Sequence, residues 1–331
     1  DALELFAFVR PAQFCAPTAS GFAQALGLPE PKGATAQAEA LLEGARVLLD
    51  ELAATPRPTR EEALALAQVL TRAGWAWAPY VVPALTSAPL RDRRVAGVDV
   101  WRAIPEWEDE GPAGEPGAKP VPPEAARRRL SDLLARAGLD EARPAQAAFA
   151  EEATHVFQPR QAEDAPHVLL AEAGTGVGKT LGYLAPASLW AEANGPAVWV
   201  STYTRALQRQ IAREAAALFP DPAVRARRVV VRKGRENYAC LLNLEDALQG
   251  GFQGRAGILA QLVARWAAFS KDGDMVGGDL PGWLPGLFRR GSALPALTDR
   301  RGECIYAGCP HYRKCFIERS ARASADADIV I

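Results

Sequence analysis

Ala173-Gly174-Thr175-Gly176-Val177-Gly178-Lys179-Thr180 is the stretch on which the reading of this chain turns. Upstream, His167-Val168-Leu169-Leu170 predicts a short buried strand; downstream, Leu181 to Ala193 predicts a helix. A strand, a glycine-rich turn and a helix N-terminus aim several backbone N–H groups and the positive end of a helix dipole at one point. That point suits a triphosphate. In such a loop Lys179 reaches the β- and γ-phosphates as a point charge and the Thr180 hydroxyl ligates Mg²⁺, while Gly174, Thr175, Gly176, Val177 and Gly178 form the cradle. Ala173 stands where a first glycine is usual, although the Gly-Lys-Thr core is intact. A merely flexible turn would explain neither Lys179 nor Thr180.

Outward from the loop, Ala197 to Ser201 predicts a buried strand, Thr204 to Leu218 a helix, and Arg228 to Val231 a further strand. Strands alternating with helices on this spacing predict an α/β fold, a parallel sheet covered on both faces. Pro123 to Ala137, with Arg127, Arg128 and Arg129, and Pro144 to Ala153 predict two helices before the loop. The stretch from Glu106 to Pro123 carries Gly111, Pro112, Gly114, Pro116, Gly117, Pro120 and Pro122 and reads as a linker. Before it lies an Ala- and Leu-rich, mainly helical region with helical periodicity in Ala36 to Ala53 and Arg60 to Ala73. The domains expected are a helical accessory domain over 1–105, a linker over 106–123, the first part of a motor domain over 124–232, an insertion over 233–322, and the start of a returning strand over 323–331.

The α/β rhythm breaks in the insertion. Ile258, Leu259, Leu262, Val263, Trp266 and Phe269 recur at helical spacing and predict an amphipathic helix with Trp266 in its core face. Gly273 to Leu297 reads as an irregular loop. Cys240, Cys304, Cys309 and Cys315 bracket the segment, and without a secretory signal metal ligation is a better reading than disulfides. Four thiolates fit tetrahedral zinc or a 4Fe–4S cube; the absence of a Cys-x-x-Cys knuckle and the remote Cys240 favour the cube, and spacing leaves both open. His311 reads as a solvated or outer residue rather than a fifth ligand, and Cys15 as a small core residue.

The 331 residues are 49% hydrophobic and 23% charged with a net charge of −1, an ordinary soluble composition, and they contain no run of about 18 apolar residues. No signal-peptide pattern opens the chain, so a cytoplasmic location without membrane attachment is expected. The first 110 residues are acidic on balance, so the remainder is basic. Arg225, Arg227, Arg228, Arg232, Lys233 and Arg235 lead into Cys240, and Arg289, Arg290, Arg300, Arg301, Arg313, Lys314, Arg319 and Arg322 surround the other three cysteines. With Tyr238, Tyr306 and Tyr312 among them, these are groups that stack on and neutralise single-stranded nucleic acid. A start at Asp1 and an end within a strand-like segment suggest a piece of a longer polypeptide.

From about Arg143 to Ile331 these features together resemble the DinG/XPD-like iron–sulfur DNA helicases of superfamily 2, the bacterial DinG branch being nearer. Ala171 to Thr180 is similar to the family's motif I, and Ser201-Thr-Tyr-Thr-Arg-Ala-Leu-Gln208 to the motif Ia that touches the DNA backbone. Arg143-Pro-Ala-Gln146 resembles the adenine-reading Q motif. Lys233-Gly-Arg-Glu-Asn-Tyr-Ala-Cys240 resembles the entry into the cluster domain, with Cys304, Cys309 and Cys315 matching the remaining ligands, and Ala325 to Ile331 the strand that returns to the sheet. The resemblance implies a RecA-like P-loop NTPase domain interrupted by a 4Fe–4S insertion. It also implies ATP and Mg²⁺ as cofactors, and ATP-driven 5′→3′ movement on single-stranded or forked DNA in repair or replication. Thr204, Arg205, Gln208, Arg235 and Tyr238 are its implied DNA contacts. In the family the DEAH box, the second motor domain and its arginine finger follow this region, so the fragment alone is expected to hydrolyse little ATP. Asp1-Ala-Leu-Glu-Leu5 and the helices after it are similar to the C-terminal half of a DnaQ-like exonuclease domain, without its His-x-x-x-x-Asp motif, against a reading as an unrelated helical domain. Two other classes stay open: a zinc-stabilised nucleic-acid-binding module whose P-loop senses nucleotide, and a different P-loop enzyme such as a small-molecule kinase.

Overall fold

A helix buried on every side along most of its length organises the larger of two units. The computed structural model describes the chain except for residues 87–99, 108–116, 140–142, 163, 175, 196, 289–293 and 301–302. Its contacts divide the chain into Asp1–Trp107 with Gly234–Arg319, and Glu108–Lys233 with Ser320–Ile331.

The first unit begins with α1 (Ala2–Val9), α2 (Ala19–Ala25), α3 (Ala34–Ala54), α4 (Arg57–Arg72) and α5 (Ala78–Thr86), then a 3₁₀ turn at Val100–Ala103. Side-chain oxygens start the first two helices: Asp1 Oδ1 accepts from Leu3 N at 2.9 Å, and Thr18 Oγ1 from Gly21 N at 3.0 Å. The sequence periodicity located α3 and α4 to within a few residues.

The second unit contains α6 (Pro123–Arg136), α7 (Pro144–Glu152), α8 (Lys179–Asn194), β1 (Val198–Trp199), α9 (Arg205–Glu214), α10 (Pro222–Arg228) and β2 (Val229–Val230). The chain then returns to the first unit for α11 (Leu241–Asp246), α12 (Gly254–Phe269) and α13 (Leu284–Leu287). It comes back along α14 (Phe316–Ala325), within which the unit boundary falls, to β3 (Ile329–Val330).

The strands form a parallel sheet in the order β1-β3-β2, with Val198 opposite Ile329 and Val230 opposite Val330. The central strand therefore comes from the far end of the chain, a connection that parallel pairing permits only through a long crossover. Arg228 and the buried Asp328 pair at 2.8 Å beside it. Arg129 grips Glu192 through two nitrogens at 2.7 and 2.6 Å, and Arg127 pairs with Glu151, so these two arginines of α6 fasten it to α8 and α7. The strand expected at His167–Leu170 is absent: the segment is extended coil, with Val168 76% and Leu170 95% exposed, and no neighbouring strand accepts its backbone among the described residues.

The expectation of an amphipathic helix at Ile258–Phe269 is also revised. Every residue of α12 from Gly257 to Ala267 is buried, Gln261 and Arg265 included, so this run has no exposed face. Covering it takes partners on several sides, which α1, α4 and the 3₁₀ turn supply alongside the insertion's own elements. The N-terminal helices and the insertion, read from sequence as separate domains, thus share one core.

Polar links reinforce that core. The buried Glu4 carboxylate accepts from Trp75 Nε1 at 3.0 Å and pairs with Arg255 of α12 at 2.9 Å. Arg265, also buried, donates to the Phe8 carbonyl and lies between the Phe8 and Phe269 rings, 4.5 and 5.5 Å from their centroids. Burial pushes its guanidinium down to about 10, opposed by the charge of Glu62. Arg265→Ala removes the stem packing and orphans the Phe8 carbonyl, and is expected to lower the unfolding free energy by about 2 to 5 kcal/mol in urea denaturation.

Candidate nucleotide site and cysteine centre

The phosphate-type loop sits in the second unit, where left-handed backbone at Gly176 (φ 82°) and Gly178 (φ 85°) delivers the chain into α8. A Cβ at Gly178 would also collide with the Gln146 amide. Two residues of α7 and its N-cap brace the turn: Arg143 Nη1 donates to Gly176 O at 3.0 Å, and Gln146 Nε2 to Gly178 O at 2.7 Å. Gln146 is 1% exposed and its Oε1 is buried without a hydrogen-bond partner. Lys179 folds back onto the loop, donating from Nζ to Ala173 O at 2.7 Å and Gly174 O at 3.2 Å. An ammonium held by loop carbonyls stands where phosphate oxygens could replace them. Thr180, at the second position of α8, shares a side-chain hydrogen bond with Tyr183, whose phenol burial pushes up. Thr175 lies outside the described residues.

Beside the loop lies an open pocket of about 680 Å³ with Leu134, Leu139 and Leu181 as apolar walls and Arg143, Gln146 and Arg213 as polar ones. Its shape and lining suit a flat heterocycle next to the phosphate cradle. Tyr183 and Arg213 were not singled out from sequence; both sit on helix faces whose aim only packing reveals.

The proposed DNA contacts divide. Thr204 Oγ1 caps α9 by accepting from Leu207 N at 3.2 Å, and Gln208 Nε2 donates to the carbonyls of Ile331 and Arg232 at 3.2 and 3.3 Å, tying down the sheet end. Arg205 is exposed at the start of α9. The structure adds two aromatics that sequence reading passed over: Tyr203, 98% exposed, and Trp199, whose ring carries the Arg232 guanidinium 5.5 Å from its centroid. In the first unit, Arg235 pairs with Asp299 and lies 4.9 Å over the exposed Tyr306 ring. Tyr238 is 3% exposed and belongs to the core, so it presents no stacking face; its place beside basic residues had suggested otherwise. Arg289, Arg290 and Arg301 lie outside the described residues.

The four cysteines of the insertion are unpaired and half-buried. The charge of Cys315 acts on the Cys240 thiol, and those of Cys304 and Cys309 on the Cys315 thiol. Cys240 is the N-cap of α11 and Cys315 precedes α14. Burial pushes both thiols up, and backbone N–H groups of Asn243 and Leu242 on one and Glu318 and Ile317 on the other oppose it by favouring thiolate. Tyr306 N donates to Cys304 Sγ at 3.4 Å. Among the described residues no group of three or more His, Cys, Asp or Glu side chains is placed so as to hold a metal ion. His311 is buried against Glu245 Oε2 at 2.8 Å, away from a ligand role, and Cys15 is a core thiol, as its isolation in the sequence suggested.

A glycine-rich loop entering a helix, with a small parallel sheet in the same unit, gives the second unit an α/β architecture. Over about half its length the chain is similar to proteins named DinG and YoaA helicases. It is 30% identical over 165 residues to the ATP-dependent DNA helicase YoaA of Haemophilus influenzae, covering 49% of this chain and 24% of that protein. It is 32% identical over 183 residues to the ATP-dependent helicase DinG of Mycobacterium tuberculosis, covering 49% and 26%. The 3'-5' exonuclease DinG of Bacillus subtilis is 34% identical over 147 residues, covering 43% and 15%. This chain thus spans about a quarter or less of the length of these relatives. No family model matches it. No helix among the described residues is long and apolar enough to cross a membrane.

Gly178→Ala places a side chain in left-handed backbone and against Gln146. It is expected to weaken binding of a fluorescent ATP analogue by about tenfold or more while the far-UV circular dichroism is unchanged.

Proposed function

We propose that this chain is part of an ATP-dependent DNA helicase that binds ATP–Mg²⁺ at Gly174–Thr180 and moves 5′→3′ on single-stranded or forked DNA in repair or replication. The observation that carries the reading is the braced left-handed loop with Lys179 resting on its carbonyls, in a chain related to named ATP-dependent helicases. Phosphate oxygens would take over Lys179 Nζ from Ala173 and Gly174, and the Thr180 hydroxyl would hold Mg²⁺. ATP–Mg²⁺, when bound, supplies the phosphoryl group whose transfer to water drives movement. Arg143 and Gln146 keep the loop in shape, and the unpartnered Gln146 Oε1 suits the amino edge of adenine in the pocket beside it. Arg205 and the exposed Tyr203 offer a charge and a stacking face to a single strand, with Arg235 and Tyr306 as a comparable pair in the other unit.

The cysteine centre completes the reading. Four free, half-buried thiols, two of them at helix N-termini, are the residues that would hold a 4Fe–4S cluster: Cys240, Cys304, Cys309 and Cys315. Bound there, the cluster supplies a cross-link among segments distant in sequence. The N-terminal helices share the core of that unit and act as its structural support.

In the protein of full length, Lys179→Ala is expected to abolish ATPase and unwinding and to leave single-strand binding largely intact; retained ATPase refutes the assignment. Anaerobically purified protein is expected to be brown with roughly four irons per chain, and Cys309→Ser to lose the colour. A colourless protein carrying stoichiometric zinc would replace the cluster with the zinc-module reading.

A further inference from the structure

Between Cys309 and Cys315 the chain runs through Pro310, His311, Tyr312, Arg313 and Lys314, and the Val100–Trp107 segment engages four of these five. Trp107 uses both its nitrogens: Nε1 donates to Tyr312 O at 2.9 Å and the backbone N to Arg313 O at 3.0 Å. Its ring stands edge-on to Tyr312, centroids 5.0 Å apart at 89°. Trp101 O accepts from Lys314 Nζ at 2.8 Å, and the Trp101 ring lies 4.8 Å from that of His311. Farther along, Arg319 donates to Pro105 O. The segment is itself anchored by the buried Val100 and Ile104.

We propose that Val100–Trp107 is a clasp that positions the cysteine ligands, with Trp101 and Trp107 as its positioning residues. Two consecutive carbonyls held by one tryptophan leave the backbone ahead of Cys315 little freedom to rotate. The contact chain also crosses to the remote ligand. Trp101 packs on His311, His311 Nε2 meets Glu245 Oε2 at 2.8 Å, and Glu245 lies on α11, whose N-cap is Cys240. A single segment from the N-terminal region thereby sets the spacing of Cys309 and Cys315 and their register with Cys240. Outer groups that orient ligands in this way govern how tightly a metal centre is kept. The identity of that centre rests on the iron–sulfur reading above; the clasp does not.

The test uses the protein of full length with Trp107→Ala, Trp107→Phe and Trp101→Ala, in two forms. In the cluster-loaded form, the rate at which EDTA bleaches the visible band is expected to rise about tenfold or more for Trp107→Ala and by less for Trp107→Phe, which keeps the ring but loses the indole N–H. In the metal-free form, iodoacetamide labelling of each cysteine is followed by mass spectrometry. Labelling of Cys309 and Cys315 is expected to accelerate relative to the buried Cys15, while circular dichroism stays native. Folded alanine variants whose bleaching and labelling both stay within about twofold of wild type overturn the clasp. Should Trp107→Ala fail to fold, Trp107→Phe decides alone by the same two rates. A wild-type protein without a visible band removes the iron–sulfur reading, and the labelling rates still decide the clasp.

Discussion

A helix with no exposed face has to be enclosed, and in the first unit that constraint falls on α12. Its buried run from Gly257 to Ala267 leaves no side to solvent, so the insertion cannot bury it with its own short helices and irregular loop. Helices α1 and α4 complete the enclosure, and Arg265 and Arg255 fasten α12 to the backbone of Phe8 and the carboxylate of Glu4. Desolvating the Arg265 guanidinium and the Glu4 carboxylate is costly unless each finds a partner, and here each does, Glu4 through Trp75 and the exposed Arg255. The arrangement makes the first hundred residues part of the framework that holds the cysteines.

The second unit is governed by a different constraint, a sharp loop whose backbone must be satisfied as it enters α8. Backbone at Gly176 and Gly178 is left-handed, and Lys179, Arg143 and Gln146 donate to the carbonyls of Ala173, Gly174, Gly176 and Gly178. These bonds, made by side chains of α7, its N-cap and the start of α8, hold the loop in a single shape.

Much of this was legible in the chain. Helical periodicity located α3, α4, α6, α7 and α8 to within a few residues, because amphipathic helices repeat their apolar positions along one face. The phosphate loop was legible because only glycine tolerates its backbone, and the cysteine set because thiols in polar surroundings have few other uses. The misreadings share a cause. Val168 and Leu170 looked buried since an apolar run predicts a covered strand, yet covering needs neighbours that periodicity does not specify. Tyr238 looked like a stacking platform from its basic neighbours, whereas the fold turns its ring into the core. Tyr203 and Trp199 were passed over because exposure is not written into residue type.

The sequence by itself determined the local elements: a glycine-rich loop ending in Lys179 and Thr180, four cysteines bracketing the insertion, and the helices around them, set by backbone preference and short-range periodicity. Only the tertiary structure decided which distant segments share a core, that Gln146 and Arg143 brace the loop, and that Trp101 and Trp107 reach the cysteine segment some two hundred residues away. Such contacts arise from burial and partner satisfaction between segments far apart in the chain. No local pattern encodes them, because each residue's neighbours exist only after the chain has folded.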